Sequence, residues 1–221
     1  GDKSKRKLLE GAYNKVSDLG LIGKTLWEGG LSAVEKLDVE FGRPIRSQLC
    51  ERLPDPKSIL EKYGGDAHVQ YKYDGFRIQI HKEKDKIKLF TRRMEDVTKQ
   101  FPDVVEDIKK HVKGDNFILD SEAVGYDSKT GKYLPFQNIS QRIKRKYDIE
   151  KIAKEFPVEV NVFDVLYYNG KNLFNLPFVE RRKIVEKIIK PEKWKIKPST
   201  QIVTDDEKEA FDFYQNALKI G

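Results

Sequence analysis

The hexapeptide KYDGFR, residues 72–77, brings an amine (Lys72), a carboxylate (Asp74) and a guanidinium (Arg77) within six positions. A lysine amine is a nucleophile only when it is neutral, so its surroundings must lower its pKa. A guanidinium binds phosphate oxygens through paired N–H donors and neutralises their charge. These residue types in this order are suited to attack on a phosphate. A lysine that reaches solvent from an edge strand is the alternative interpretation.

Two later strands carry further candidate residues. Asp120 and Glu122 are two positions apart, so they share one face of a predicted strand, where carboxylates can hold a divalent metal or orient a ribose hydroxyl. In the strand predicted over 158–168, Phe163 falls on the face opposite three valines. An aromatic ring on a polar face needs a partner, and a nucleotide base offers one. Packing beneath a helix is the alternative interpretation for Phe163.

The composition describes a basic chain of 221 residues, with 43 Lys and Arg against 36 Asp and Glu, a net charge of +7 and a pI near 9.2. This excess permits a polyanionic partner without requiring one. A single cysteine, Cys50, excludes an internal disulfide framework and a multi-cysteine zinc site, and it fits a reducing compartment. No apolar run is long enough to span a membrane.

Four cations occur within five residues in the segment 142–146. Such a run is usually a solvated face, and contact with the phosphates of a nucleic acid is the alternative interpretation. The candidate phosphate contacts are Arg142, Lys144, Arg145 and Lys146.

Hydrophobic spacing divides the chain into two regions. Helical periodicity predicts helices over residues 3–37, too few to make a domain, so we interpret residues 1–38 as the tail of one. From Ala67 the period changes to two, which predicts strands that place Lys72 mid-strand, with the first three strands as antiparallel neighbours. Helices are interspersed irregularly among the strands that follow. Residues 39–221 are therefore predicted to form an α+β domain.

The KxDGxR hexapeptide resembles the motif of the covalent nucleotidyltransferases: DNA ligases, RNA ligases and mRNA-capping guanylyltransferases. Segments similar to the later motifs of that superfamily follow in order, at 90–98, 117–124, 134–137 and 162–170. The leader Arg43–Arg46 and the helix that starts at 17–20 resemble the archaeal and eukaryotic replicative ATP-dependent DNA ligases. The resemblance covers nearly the whole chain.

The resemblance implies an adenylation fold of antiparallel sheets flanked by helices, preceded by the tail of a helical DNA-binding domain. It implies that Lys72 bonds covalently to AMP from ATP, with Mg²⁺ or another divalent cation present. The implied supporting roles are ribose and phosphate contacts for Arg77 and Arg92, a ribose contact and a metal contact for Glu122, adenine stacking for Phe163, and supporting carboxylates at Asp74 and Asp120.

Gln70 departs from the family pattern, because many members have Glu at this position near the adenine amino group. An amide offers a donor as well as an acceptor. Gln70 remains a predicted nucleotide contact, and adenine cofactors other than ATP stay open.

The resemblance also implies nicked duplex DNA as substrate, a monomer in the cytoplasm, and a sliding clamp that binds through parts outside this chain. The family's later Glu-Gly motif and paired lysines would lie beyond Gly221, so we expect a fragment that does not itself seal DNA. An RNA ligase or capping enzyme is the enzymatic alternative. A non-catalytic nucleic-acid-binding module is the alternative from another class.

Overall fold

The computed structural model describes residues 3–145 and 147–220. Its first two helices are α1 (Arg6–Val16) and α2 (Leu19–Glu35). The Asp18 carboxylate caps α2 by accepting from the Leu21 N–H at 2.9 Å. Gly30 interrupts α2 with a φ of 69°. The two helices share a small apolar cluster, formed by Ala12, Val16, Ile22 and Val34.

An irregular segment connects these helices to α3 (Pro56–Tyr63). At the start of α3, Asp55 accepts from the Ser58 N–H at 2.7 Å and Pro56 occupies the first turn. The helix ends at Gly64, whose φ is 68°.

The strands are β1 (Ala67–Gln70), β2 (Phe76–Glu83), β3 (Lys86–Thr91), β4 (Asn116–Gly125), β5 (Val158–Tyr168), β6 (Lys171–Asn172), β7 (Ile196–Pro198) and β8 (Gln201–Thr204). The remaining helices are α4 (Pro102–His111), α5 (Phe136–Lys144), α6 (Ile149–Glu155), α7 (Phe178–Ile188) and α8 (Glu207–Ile220). The main sheet has the order β3-β2-β4-β5-β6 and is antiparallel, with β7 added in parallel to β5.

One face of the main sheet forms the core. Ile78, Leu119 and Val160 are fully buried there, and they belong to the same apolar cluster as residues of α4, α5 and α7. Because side chains alternate along a strand, the opposite face carries the polar residues of β2 and β4. The candidate residues Arg77, Asp120 and Glu122 therefore lie on the face that these helices leave uncovered.

Of two predictions about the first strands, one is wrong and the other holds only for β2 and β3, which are antiparallel neighbours. The strand β1 ends at Gln70, so Lys72 lies in an irregular segment between β1 and β2 rather than mid-strand. It pairs with β8 in a separate two-stranded sheet, and β4 takes the place beside β2. The predicted α+β class is confirmed. Within the described ranges, every helix falls short of the length and apolar character needed to cross a bilayer.

Candidate active site

Lys72 is exposed between two tyrosines that fasten its segment to the turn before β8. The Tyr71 N–H donates to the Thr200 carbonyl at 3.2 Å. The Tyr73 hydroxyl donates to Thr200 Oγ1 at 3.2 Å and accepts from the Thr200 N–H at 3.3 Å. The backbone on both sides of Lys72 is thus held in place, and its side chain is left accessible to a ligand.

The turn after Lys72 lies directly against β4. A Cβ on Gly75 would stand 2.3 Å from the Ala123 carbonyl oxygen, so only glycine allows this approach. The Asp74 carboxylate accepts from the Phe136 N–H at 3.3 Å, at the start of α5. Asp74 therefore joins the Lys72 turn to the segment at 134–137 that the sequence singles out.

Arg77 and Asp120 form a bidentate ion pair on the polar face of the main sheet. Arg77 Nε donates to Asp120 Oδ1 at 3.0 Å, and Nη2 donates to Oδ2. The Asp120 side chain is nearly fully buried, while that of Arg77 is a quarter exposed. The Arg77 guanidinium also lies 5.8 Å from the ring centroid of Phe163. Arg77 therefore connects a buried carboxylate to the aromatic side of the site.

Glu122 lies opposite Arg77 in the β2–β4 register. Burial raises the pKa of Glu122 to about 7, and the positive charges of Lys72 and Arg77 oppose that rise. The carboxylates of Asp120 and Asp74 reinforce it. A carboxyl that titrates near neutral pH beside a lysine and an arginine is typical of a functional site.

Phe163 lies where the pairing of β4 with β5 shifts by one residue. Asp120 pairs with Asp164 and Ser121 pairs with Val162, which leaves Phe163 outside the cross-strand register. Arg181 fixes the next residue through two hydrogen bonds to the Asp164 carboxylate, of 2.8 and 3.0 Å. The half-buried Phe163 ring is thereby held beside Arg77 rather than in the apolar core.

The two remaining nucleotide candidates lie at the edges of this cluster. Gln70 is the last residue of β1, and its Nε2 donates to Gln201 Oε1 at 3.1 Å. Arg92 is exposed after β3. Because Thr91 pairs with Ile78, Arg92 lies at the same end of the sheet as Arg77.

The cations of the segment 142–146 do not form one exposed surface, because Arg142 is buried. Arg142 is 1% exposed, and its guanidinium donates to the Gln100 carbonyl at 3.0 Å, the Phe156 carbonyl at 3.1 Å and the Asp103 carboxylate. It also lies 4.2 Å from the ring centroid of Phe101. The prediction that Arg142 contacts DNA phosphates is therefore wrong, because its donors are used inside the fold.

The other members of the run have different positions. Lys144 and Arg145 are exposed. Lys146 lies outside the described residues. Among residues 3–145 and 147–220, no three His, Cys, Asp or Glu side chains are grouped so that they could hold a metal ion.

Sequence reasoning missed Tyr133. Its ring packs edge-on against Tyr73 at 5.8 Å, next to Lys72 in the chain. Its hydroxyl accepts from Lys197 Nζ at 2.9 Å and donates to the buried Glu159 carboxylate. No local pattern announces this contact, because Lys197 and Glu159 lie on strands far from Tyr133 in the sequence.

A family model described as the ATP-dependent DNA ligase domain matches residues 47–221. The chain is 46% identical over 213 residues to the DNA ligase of Nanoarchaeum equitans, covering 96% of this chain and 38% of that protein. It is 46% identical to DNA ligase 2 of Thermofilum pendens and 42% identical to the DNA ligase of Saccharolobus solfataricus, covering all of this chain and 36% of each relative. The chain thus spans little more than a third of these relatives.

A likeness to solved structures concerns the fold. A structure named Pmar-Lig_Pre superposes with a TM-score of 0.54 at 17% identity, covering 89% of this chain and 49% of that chain. The resemblance read from the motifs is confirmed by the family model and by the relatives.

Proposed function

Since the chain belongs to the ATP-dependent DNA ligase family, we propose that the protein seals nicks in duplex DNA and that Lys72 carries the transferred AMP. The observation that carries this proposal is the grouping of Lys72 and Arg77 around Glu122, the partly buried carboxyl with a pKa of about 7, with the Phe163 ring beside Arg77. An exposed amine, a guanidinium, a carboxyl and an aromatic ring are the groups that a nucleotide requires.

The first step transfers AMP to the protein. The neutral Nζ of Lys72 attacks the α-phosphorus of ATP, a P–N bond forms, and the bond to the pyrophosphate oxygen breaks. The amine proton leaves to solvent and pyrophosphate departs. An oxygen of the 5′-phosphate of the nick then attacks the phosphorus of the adduct, the P–N bond breaks, and the released Lys72 amine takes a proton from solvent. The 3′-hydroxyl then attacks the 5′-phosphate and loses its proton to solvent, a P–O bond joins the two strands, and AMP departs as the bond between the two phosphates breaks. Because both tyrosines beside Lys72 are hydrogen-bonded to Thr200, the chain segment that carries the amine is held in place.

The nucleotide would lie across the polar face of the main sheet. Phe163 stacks on the adenine, Glu122 holds the ribose, and Arg77 and Arg92 neutralise the phosphates. The Gln70 amide donates its Nε2 to Gln201, so its Oε1 remains an acceptor for the adenine amino group. This arrangement supports adenine over guanine, whose corresponding group is itself an acceptor.

The proposed metal is Mg²⁺, bound mainly through the phosphates of ATP. Magnesium commonly takes one or two protein carboxylates together with substrate phosphates and water. Asp120 is already paired with Arg77, and the Asp74 carboxylate accepts from the Phe136 N–H, so Glu122 is the proposed protein ligand. When bound, the ion would neutralise charge on the departing pyrophosphate.

The two regions of the chain have separate proposed roles. Residues 1–38 form the end of a helical DNA-binding domain, and residues 39–221 belong to the adenylation domain. With Arg142 buried, the proposed phosphate contacts reduce to the exposed Lys144 and Arg145, together with Lys146 from the sequence alone.

The test is incubation of the full-length protein with Mg²⁺ and α-labelled ATP or GTP, followed by a denaturing gel and peptide mass spectrometry. We expect label from ATP only, on the peptide that contains Lys72, and closure of a nicked DNA duplex. Label from GTP would indicate a capping-type enzyme, and closure of nicked RNA alone would indicate an RNA ligase. A protein that takes up no label would be a binding module.

A further inference from the structure

The segment between α2 and α3 lies against the polar face of the main sheet, where Gln79 holds it. The Ile45 N–H donates to Gln79 Oε1 at 2.7 Å, and Gln79 Nε2 donates back to the Ile45 carbonyl at 3.2 Å. A carboxamide carries an acceptor and a donor side by side. It can therefore form the same two hydrogen bonds to a peptide unit that the backbone of a neighbouring strand would form. Ile45 is buried there, in a cluster with Ile118 and Leu166. We call residues 38–48 the linker.

His81 fixes the orientation of the Gln79 amide. His81 is fully buried, and its Nδ1 accepts from the Gly42 N–H of the linker at 3.3 Å. The ring proton is therefore on Nε2, which lies 2.9 Å from Gln79 Oε1 and donates to it. Burial lowers the pKa of His81 to about 4, so the neutral ring persists at physiological pH.

The same amide also reaches the nucleotide side of the sheet. Gln79 Nε2 lies 3.4 Å from Asp120 Oδ1, the oxygen that accepts from Arg77 Nε at 3.0 Å. The Arg77 guanidinium in turn lies beside the Phe163 ring. A continuous row of contacts thus runs from Ile45 through Gln79, Asp120 and Arg77 to the proposed adenine site.

The opposite side of the linker binds the N-terminal helices. Arg43 Nη1 lies 2.9 Å from Asp18 Oδ2 at the start of α2. The Arg46 N–H donates to Ser17 Oγ at 2.8 Å, and Gln48 Nε2 donates to Asn14 Oδ1 at 3.1 Å. One short segment therefore contacts both the helical region and the row that leads to Arg77.

We propose that Gln79 is a positioning residue that couples nucleotide binding at Arg77 to the hold on the linker, and through the linker to the helical region. This inference rests on the proposed function. When Arg77, still paired with Asp120, also donates to a phosphate, its hydrogen bond to Asp120 Oδ1 weakens, and that oxygen becomes a stronger acceptor for Gln79, which fixes the amide against Ile45. Nucleotide binding thus tightens the linker, and by thermodynamic reciprocity a tight linker favours nucleotide binding.

The test uses the full-length protein and two matched substitutions. Gln79→Met keeps the length of the side chain and removes its donor and acceptor. Gln48→Met makes the same change on the exposed side of the linker, where the row to Arg77 is untouched. Intact-protein mass spectrometry first measures the AMP adduct after incubation with ATP and Mg²⁺. Limited trypsin digestion then measures cleavage after Arg46, with and without the adduct.

We expect the adduct to slow cleavage after Arg46 several-fold in the wild-type protein and in Gln48→Met. In Gln79→Met cleavage should be faster and independent of the adduct, and the KM for ATP in adduct formation should rise. If the wild-type protein forms no adduct, the proposed function is wrong. If it forms the adduct and cleavage does not change, or if Gln79→Met shows the same protection as the wild type, the coupling is wrong.

A second variant covers a failure of Gln79→Met to fold. Gln79→Glu keeps the acceptor for Ile45 and His81, and it places a carboxylate beside Asp120 where a donor stood. It too should lose the protection that the adduct gives. Retained protection in Gln79→Glu would overturn the coupling.

Discussion

Arg77 lies directly opposite Glu122 in the β2–β4 register, yet its guanidinium pairs with Asp120, the carboxylate two residues earlier. Glu122 forms no ion pair with any described residue and stays partly buried with a pKa near 7. The arrangement gives the two carboxylates different tasks. Asp120 holds the arginine in place, and Glu122 remains available for a ligand.

The first prediction concerns the pH dependence of stability through Glu122. Its pKa is about 7 in the folded state and ordinarily 4.5, so protonated Glu122 favours folding. Its favourable contribution is fully present below about pH 4.5 and is lost as pH rises to about 7. The difference corresponds to about 3 kcal/mol. Glu122→Gln should therefore raise the midpoint of thermal unfolding at pH 8 and leave it nearly unchanged at pH 4.5. Equal effects at both pH values would contradict the raised pKa.

The second prediction concerns the nucleophile. Lys72→Arg keeps the positive charge and cannot supply a neutral amine near pH 7. The variant should form no AMP adduct, whereas sealing of pre-adenylated nicks should survive in part. Lys86→Arg, an exposed change in the β2–β3 hairpin, is the control and should form the adduct normally. An adduct on Lys72→Arg at the wild-type level would remove Lys72 from its proposed role.

The third prediction separates stacking from packing at Phe163. Phe163→Ala should weaken ATP binding by about 1–3 kcal/mol, the cost of a lost base–aromatic stack. Its unfolding midpoint should change little, since the ring is only half buried. Phe101→Ala, in the apolar core, should do the reverse and destabilise the fold by about 3–5 kcal/mol. Calorimetry and thermal unfolding of both variants provide the measurement. A collapse of stability in Phe163→Ala would make that ring a core residue.

The fourth prediction concerns the basic run. Arg142→Met leaves Asp103 and two carbonyls without their donor, so the free energy of unfolding should fall by about 3 kcal/mol. The salt dependence of DNA binding should stay the same. For Lys144→Ala and Arg145→Ala, the slope of log K for DNA binding against the logarithm of the salt concentration should instead decrease in magnitude by about one. Both variants should keep a stable fold. A lower salt slope in Arg142→Met would contradict its structural role.

The fifth prediction concerns Tyr133 as support for the Lys72 turn. Tyr133→Phe keeps the ring against Tyr73 and loses the hydroxyl between Lys197 and Glu159, at a cost of about 1 kcal/mol in stability. Tyr133→Ala also removes the ring. We expect adduct formation to slow in Tyr133→Ala with little change in the KM for ATP, and to stay near normal in Tyr133→Phe. Equal rates in the two variants would show that the ring does not position Lys72.

The sequence by itself determined the features that depend on neighbouring residues. Asp55 and Pro56 mark the start of α3, because a cap and a first-turn proline act within one helical turn. Alternation along β4 puts Asp120 and Glu122 on one face, since the period of a strand is two. The order of the motifs from KYDGFR to Phe163 indicated the family, which the comparisons confirm.

Tertiary structure decided the features that depend on partners distant in the chain. The strand β1 looks like the neighbour of β2, yet it pairs with β8, more than a hundred residues later. Arg142 and Lys144 look alike in a run of cations, and only the packing of Phe101 and Asp103 against Arg142 shows which one is buried. Local patterns fix which face a side chain takes. What covers that face depends on long-range contacts. Only the folded chain therefore shows that Gln79 binds the linker and that Tyr133 lies between Lys197 and Glu159.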